Sequence, residues 1–250
     1  MIATSPAVSA HRDEDTVAPL VVVEELVREP TRLLDGLESA DATARIRTLI
    51  ATIAIAGGVF GGVVGAHHGG VQVFYAALKI PLLLLVTLVI CVPAFVGLSR
   101  AFGVAAPARE VVIVTLAACA RVALVLAGLA PVVWLLAGWA GYHGTVLLLA
   151  MATGAAGLAG ATLLVRAFQR RGQLGWVAGL AMLAVYGVVG AQTGWLLRPF
   201  VVRPRATHVV FAHWPLEGDP FGAVRASTRS VSGSYDDESG AWLGAHKDAK

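Results

Sequence analysis

The sequence predicts an all-α protein: a polytopic transmembrane helical bundle of about five spans, preceded by a short cytoplasmic helical segment. Long apolar stretches follow one another between Ile46 and Leu197, and each approaches the roughly 20 residues that cross a hydrocarbon layer of about 30 Å. Hydrophobic residues make up 57% of the chain and its mean hydropathy is +0.74, which is too apolar for a soluble domain. Only 14% of the residues are charged, and most of them lie outside or between the apolar stretches.

The first predicted unit, residues 1–46, is a cytoplasmic segment. Residues 18–40 carry apolar side chains such as Leu20, Val23 and Leu26 with acidic residues between them, which predicts a short interfacial helix broken at Pro30. The chain start has no basic region of the kind that opens a signal peptide. We therefore expect the first span to act as an uncleaved anchor.

The second predicted unit, residues 47–198, is the transmembrane domain. Residues 71–78 are too short to cross a bilayer and are predicted to form an interfacial linker after the first span. Pro131 is predicted to kink or end the third span, which runs to residue 132 or beyond. The predicted spans are residues 48–66, 80–98, 111–132, 145–165 and 174–197.

The third predicted unit, residues 199–250, is an extracytoplasmic tail. It contains Pro204, Pro215 and Pro220, and from Ser227 it is rich in Ser, Gly and Asp. This composition predicts a partly ordered segment followed by disorder.

The distribution of basic residues predicts the orientation, because Arg and Lys are enriched on the cytoplasmic side of short loops. A cytoplasmic N-terminus and an outer C-terminus give the larger inside count, although this orientation places Lys79 in an outer loop and Arg198, Arg203 and Arg205 outside after the last span. The preference for Arg over Lys, with abundant Ala, Gly and Val, favours the inner (plasma) membrane of a high-GC bacterium. The residues placed inside are Arg28, Arg32, Arg45, Arg47, Arg100, Arg109, Arg166, Arg170 and Arg171.

Glycines recur at four-residue spacing in two of the spans. Gly57, Gly61 and Gly65 form a glycine zipper in the first span, where glycines let two helix backbones approach closely in lipid. The pattern favours helix packing within the chain over an oligomer interface, and both interpretations stay open. The fifth span repeats the spacing twice, as Gly175 with Gly179 and Gly190 with Gly194.

The intramembrane polar candidates are Arg121, Tyr186 and Gln192. Arg121 is the one charged residue that the predicted spans place well inside the bilayer, and such a residue is a functional candidate by default. It equally fits a structural role, in which it snorkels or binds backbone carbonyls. Because Arg121 and Tyr186 have similar predicted depths, we expect the Tyr186 hydroxyl to accept a hydrogen bond from Arg121.

The chemistry-bearing residues show no catalytic or ligand-binding motif. Five histidines, listed last, fall on the predicted outer side, but no metal-ligand spacing accompanies them. The stretch GGVFGG has Val63 and Val64 where a phosphate loop needs Lys and Ser or Thr, and the scattered Arg residues do not predict nucleic-acid binding. The sequence thus predicts no enzyme, no cofactor and no metal, and it predicts reduced thiols at Cys91 and Cys119. The histidines are His67, His68, His143, His208 and His213.

The order of elements resembles the Yip family of polytopic membrane proteins and its uncharacterised bacterial relatives. The resemblance rests on the segment VREPTRLLDGL, the stretches KIPLLLLVTLVICVPAF and GAQTGWLLRPF, and five close-set spans with an outward C-terminus. It implies a five-helix bundle, which in the eukaryotic members acts in membrane trafficking through small-GTPase partners. This sequence lacks their DLYGP-type motif, so no binding residues and no GTPase partner are carried over.

These observations predict a membrane scaffold or a partner subunit of a membrane complex. Its partners would be the lipid bilayer and either other membrane subunits or further copies of the chain, without nucleic acid. The alternative is a small-solute transporter or channel component, which Arg121 and the glycine-rich helices motivate.

Overall fold

The computed structural model describes residues 19–28, 42–67, 69–104, 106–197 and 219–231, and the ordered elements in these ranges are helices. Five of them are long and apolar enough to cross a membrane. This confirms the predicted all-α class and the number of spans. The helices are α1 (Pro19–Arg28), α2 (Ala42–Ala66), α3 (Gln72–Ala101), α4 (Ala108–Gly141), α5 (His143–Gln169), α6 (Gly175–Leu196) and α7 (Pro220–Val231).

Helix α4 forms the centre of the bundle. Its residues from Ile113 to Ala120 are all buried, and 61% of its apolar stretch is covered by other helices. One core cluster joins α4 to α1, α2, α3, α5 and α6, and a second joins Phe60 and Val64 of α2 to the later turns of α4. Most of the buried side chains are apolar. The interior of the single chain is therefore filled by a helix.

Two helices extend further than the sequence predicted. Helix α3 begins at Gln72, so the segment predicted as an interfacial linker is its first two turns. Helix α4 continues past Pro131, which lies inside the helix and does not end it. Neighbouring helices in a bundle can satisfy the backbone group that a proline frees.

The break between α4 and α5 lies at Gly141 instead. Its φ of 61° and ψ of −175° interrupt an otherwise continuous helical stretch. This backbone region is essentially restricted to glycine, because a Cβ atom would clash with the adjacent peptide groups.

The two short helices lie at opposite ends of the chain. Helix α1 packs on α2 and α4 through Val22 and Leu26, while Pro30 lies outside the described residues. Helix α7 begins in the segment predicted as partly ordered and continues through residues 227–231, where disorder was predicted. It packs against α6 and, through the buried Ser227, against His143 near Gly141.

Candidate functional site

A polar contact joins three helices in the middle of the bundle. The Tyr186 hydroxyl of α6 donates a hydrogen bond to the carbonyl oxygen of Leu84 in α3 at 3.2 Å. The Cys119 thiol of α4 lies 3.4 Å from the same hydroxyl and 3.9 Å from the same carbonyl. Both cysteines of the chain are buried free thiols. The contact satisfies the tyrosine in an apolar interior, where an unpaired hydroxyl would be costly.

Arg121 does not take part in this contact, so the predicted hydrogen bond from Arg121 to Tyr186 is wrong. The reason is rotation about the helix axis. Cys119 faces Tyr186, and Arg121, two residues later, points roughly 200° away from it. Within the described part of the chain, the buried Nη1 atom of Arg121 has no hydrogen-bond partner. Its charged neighbour is Arg166, which carries the same sign.

An open groove of about 440 Å³ lies between α1, α2 and α4. Arg121 is one turn before the groove residue Leu124, and hence on the same side of α4. The hydroxyls of Thr48 and Thr52 donate to carbonyls of their own helix, at 3.0 and 2.9 Å, so they leave the wall largely apolar. The groove is lined by Val23, Arg47, Thr48, Ala51, Thr52, Ile55, Ala56 and Leu124.

Two long polar side chains of α3, Gln72 and Lys79, are buried although the sequence did not predict them as intramembrane candidates. Lys79 was assigned to an outer loop, but it lies inside α3 with 4% of its surface exposed, and Gln72 is fully buried. Arg121 is therefore not the one charged residue inside a span. The available signal was the spacing of Gln72, Ala76 and Lys79, which places all three on one helical face.

The glycines of α2 lie against the backbone of α3. A Cβ atom on Gly57 would be 3.4 Å from Cα of Pro81, whereas one on Gly61 would overlap the carbonyl of Ala76. Gly65 faces Gln72 in the same way. As the glycines advance along α2, their contact residues on α3 move back from Pro81 to Gln72. The two helices therefore form a closely packed antiparallel hairpin.

The glycines of α6 divide between two neighbouring helices. Gly175 and Gly179 lie against the α5 backbone at Phe168 and Val165. Gly190 and Gly194 face α3, where their nearest side chains are Thr87 and Leu83 at 3.5 and 3.8 Å. Gln192, the remaining polar candidate, is exposed on the outside of α6.

Side-chain pairs also lie at the two ends of the bundle. At one end, the start of α4 is joined to the residues after α5 by an ion pair between Glu110 and Arg171. At the other, Nδ1 of His143 lies 3.4 Å from Oγ of Ser227, which joins α5 to α7. Across the described ranges, no three His, Cys, Asp or Glu side chains are grouped as a metal site would require.

Comparison with known proteins found no matching family model, no matching curated protein and no matching solved structure.

Proposed function

We propose that this chain is a scaffold or partner subunit of a membrane complex. The observation that supports this function best is the uneven coverage of the helices. Only 17% of the apolar stretch of α6 and 28% of that of α5 are buried, against 61% in α4. A bundle with a filled centre and two broad outer apolar faces is suited to packing beside another membrane protein.

The proposal includes the location and the orientation. The five apolar helices are those of a membrane-embedded protein, and the Arg distribution supports a bacterial inner membrane with the N-terminus in the cytoplasm. The Yip-like order of elements contributes architecture alone, because this sequence lacks the DLYGP-type motif of the eukaryotic members.

Site-specific photocrosslinking in native membranes tests the proposal. A benzophenone side chain would replace Leu158 of α5 or Val188 of α6, both of which are exposed large apolar residues. The matched control is Val59 on α2, because 50% of the apolar stretch of α2 is buried and Val59 is 53% exposed, close to the 58% of Val188. We expect protein adducts from the first two positions and none from Val59. Lipid adducts alone at all three positions would contradict the proposal, and the adduct mass separates a second copy from a different subunit.

The alternative proposal, a small-solute transporter or channel component, is favoured by one observation. Arg121 has a buried nitrogen without a hydrogen-bond partner in the described residues, next to an open groove. An intramembrane cation of this kind often marks a solute path. The test is solute flux into proteoliposomes that contain the protein. Flux that disappears in a folded Arg121→Leu variant would support the transporter over the scaffold.

A further inference from the structure

The groove between α1, α2 and α4 has a polar end and an apolar end. Arg47 lies in the second turn of α2, and Ile55 lies eight residues later, about 12 Å along the helix axis. Half of the hydrocarbon layer is about 15 Å thick. If α2 crosses the membrane, the groove thus runs from the headgroup region at the start of α2 into the acyl-chain region of the same leaflet.

The polar end of the groove is basic. Arg47 is exposed and has no carboxylate partner among the residues that the structure describes. Arg121 lies on the Leu124 side of α4, and helical side chains lean toward the helix N-terminus, which directs the guanidinium toward the end where Arg47 lies. The two arginines therefore bring positive charge to one end.

The acidic residues of α1 do not cancel this charge. Glu24 is ion-paired with Arg28 at 3.8 Å. Glu25 lies two residues after the groove residue Val23, about 200° around α1, and its buried Oε2 atom accepts no hydrogen bond within the described part of the chain, so it is not paired with Arg47.

The rest of the groove suits a hydrocarbon chain. Ala51 and Ala56 leave room along α2, while Ile55 and Leu124 form apolar walls. A volume of about 440 Å³ falls within the roughly 300–1,000 Å³ that ligand pockets occupy.

We propose that this groove binds an anionic phospholipid. Its phosphate lies against Arg47 and within reach of Arg121, and one acyl chain extends along Ala51 and Ile55 toward Leu124. Basic pockets between membrane helices recognise anionic headgroups by this combination of charge and apolar surface. This site is independent of the proposed scaffold function, because it uses the inner groove and not the outer faces of α5 and α6.

Native mass spectrometry of the full-length protein tests the charge requirement. The protein would be purified in detergent and supplied with phosphatidylglycerol or phosphatidylcholine carrying the same acyl chains. We expect preferential retention of phosphatidylglycerol, and Arg47→Gln should weaken it about fivefold, the usual contribution of one basic residue near anionic lipid. Arg47→Lys should keep most of the preference. The matched control, Arg109→Gln, removes an exposed arginine at the start of α4 and should leave retention unchanged.

Equal retention of the two lipids, or an equal loss in Arg47→Gln and Arg109→Gln, would overturn the proposal. The apolar requirement has its own matched pair, since Ala51 and Ala54 are both exposed on α2 but only Ala51 lines the groove. Ala51→Phe should abolish retention and Ala54→Phe should not.

A benzophenone side chain in place of Ile55, where the groove wall already carries a large apolar side chain, identifies the occupant directly. We expect a phosphatidylglycerol adduct. An intrachain crosslink to residues 29–41 would show that the chain fills its own groove, and that result would overturn the proposal.

Discussion

The hydroxyl of Tyr186 in α6 donates a hydrogen bond to the backbone carbonyl of Leu84 in α3, 102 residues away in sequence. The contact crosses the two helices at the point where Cys119 of α4 also approaches. It therefore links the central helix to two helices that surround it.

Replacing Tyr186 with Phe should lower the unfolding free energy by about 0.5–1.5 kcal/mol, because it removes one interhelical hydrogen bond in an apolar interior. Tyr75→Phe is the matched control, since the Tyr75 hydroxyl has no hydrogen-bond partner in the part of the chain that the structure describes. The measurement is denaturant unfolding in detergent micelles. Equal stability of Tyr186→Phe and the wild-type protein would contradict the assigned bond.

Arg121→Leu should leave the unfolding free energy unchanged or raise it by about 1 kcal/mol, because it removes from a span a charged side chain whose buried nitrogen has no partner in the described residues. No hydrogen bond to its Nη1 atom is lost among the described residues. Combined with Tyr186→Phe, its effect should be additive within about 0.5 kcal/mol in a micelle without anionic lipid. A coupling energy well above that value would show that Arg121 and Tyr186 interact directly and would contradict the structure.

The glycines of α2 provide a matched pair of substitutions. Gly61→Ala should destabilise the protein by about 1–3 kcal/mol, because the new methyl group meets the Ala76 carbonyl. Gly58→Ala should be neutral or stabilising by up to about 1 kcal/mol, since its methyl group would lie 3.6 Å from the Ala77 carbonyl and alanine favours the helix. Thermal unfolding in detergent measures both. If the two variants lose stability equally, α2 and α3 do not approach at Gly61.

A larger apolar side chain on the outer face of α2 provides a further control, and Val59→Leu should be tolerated because Val59 is exposed. Val64→Leu would not serve, because Val64 is buried in the second core cluster.

Gly141→Ala should cost about 1–3 kcal/mol, because alanine is strained at a φ of 61° and a ψ of −175°. Gly138, one turn earlier, has no described atom within 4 Å of an added Cβ. Gly138→Ala should therefore be neutral or slightly stabilising. Differential scanning calorimetry of the two variants checks the difference. A stable Gly141→Ala protein would mean that α4 and α5 are not broken at this residue.

The topology prediction is tested with a C-terminal alkaline phosphatase fusion, which should be active if the tail lies outside the cytoplasm. The fusion point should follow Lys250, because a fusion between residues 220 and 231 would interrupt α7. Maturation of a cytoplasmic fluorescent reporter at the same point would reverse the assigned orientation.

The sequence alone determined the class of this protein and the number of its long helices. Both follow from local properties: apolar stretches near the bilayer thickness, and charges between them. It also predicted that glycines at four-residue spacing serve helix packing, because small residues permit close backbone approach wherever the partner lies.

The tertiary structure alone decided which side chains meet. The rise per residue placed Arg121 and Tyr186 at similar depths, but it carries no information about rotation around each helix axis. Rotation is set by the simultaneous packing of several helices, which turned Cys119 toward Tyr186 and Arg121 toward the groove side of α4. The same packing explains why α3 begins at Gln72 and includes Lys79. Residues 71–78 are too short to cross a bilayer alone, but Gln72, Ala76 and Lys79 are buried against neighbouring helices.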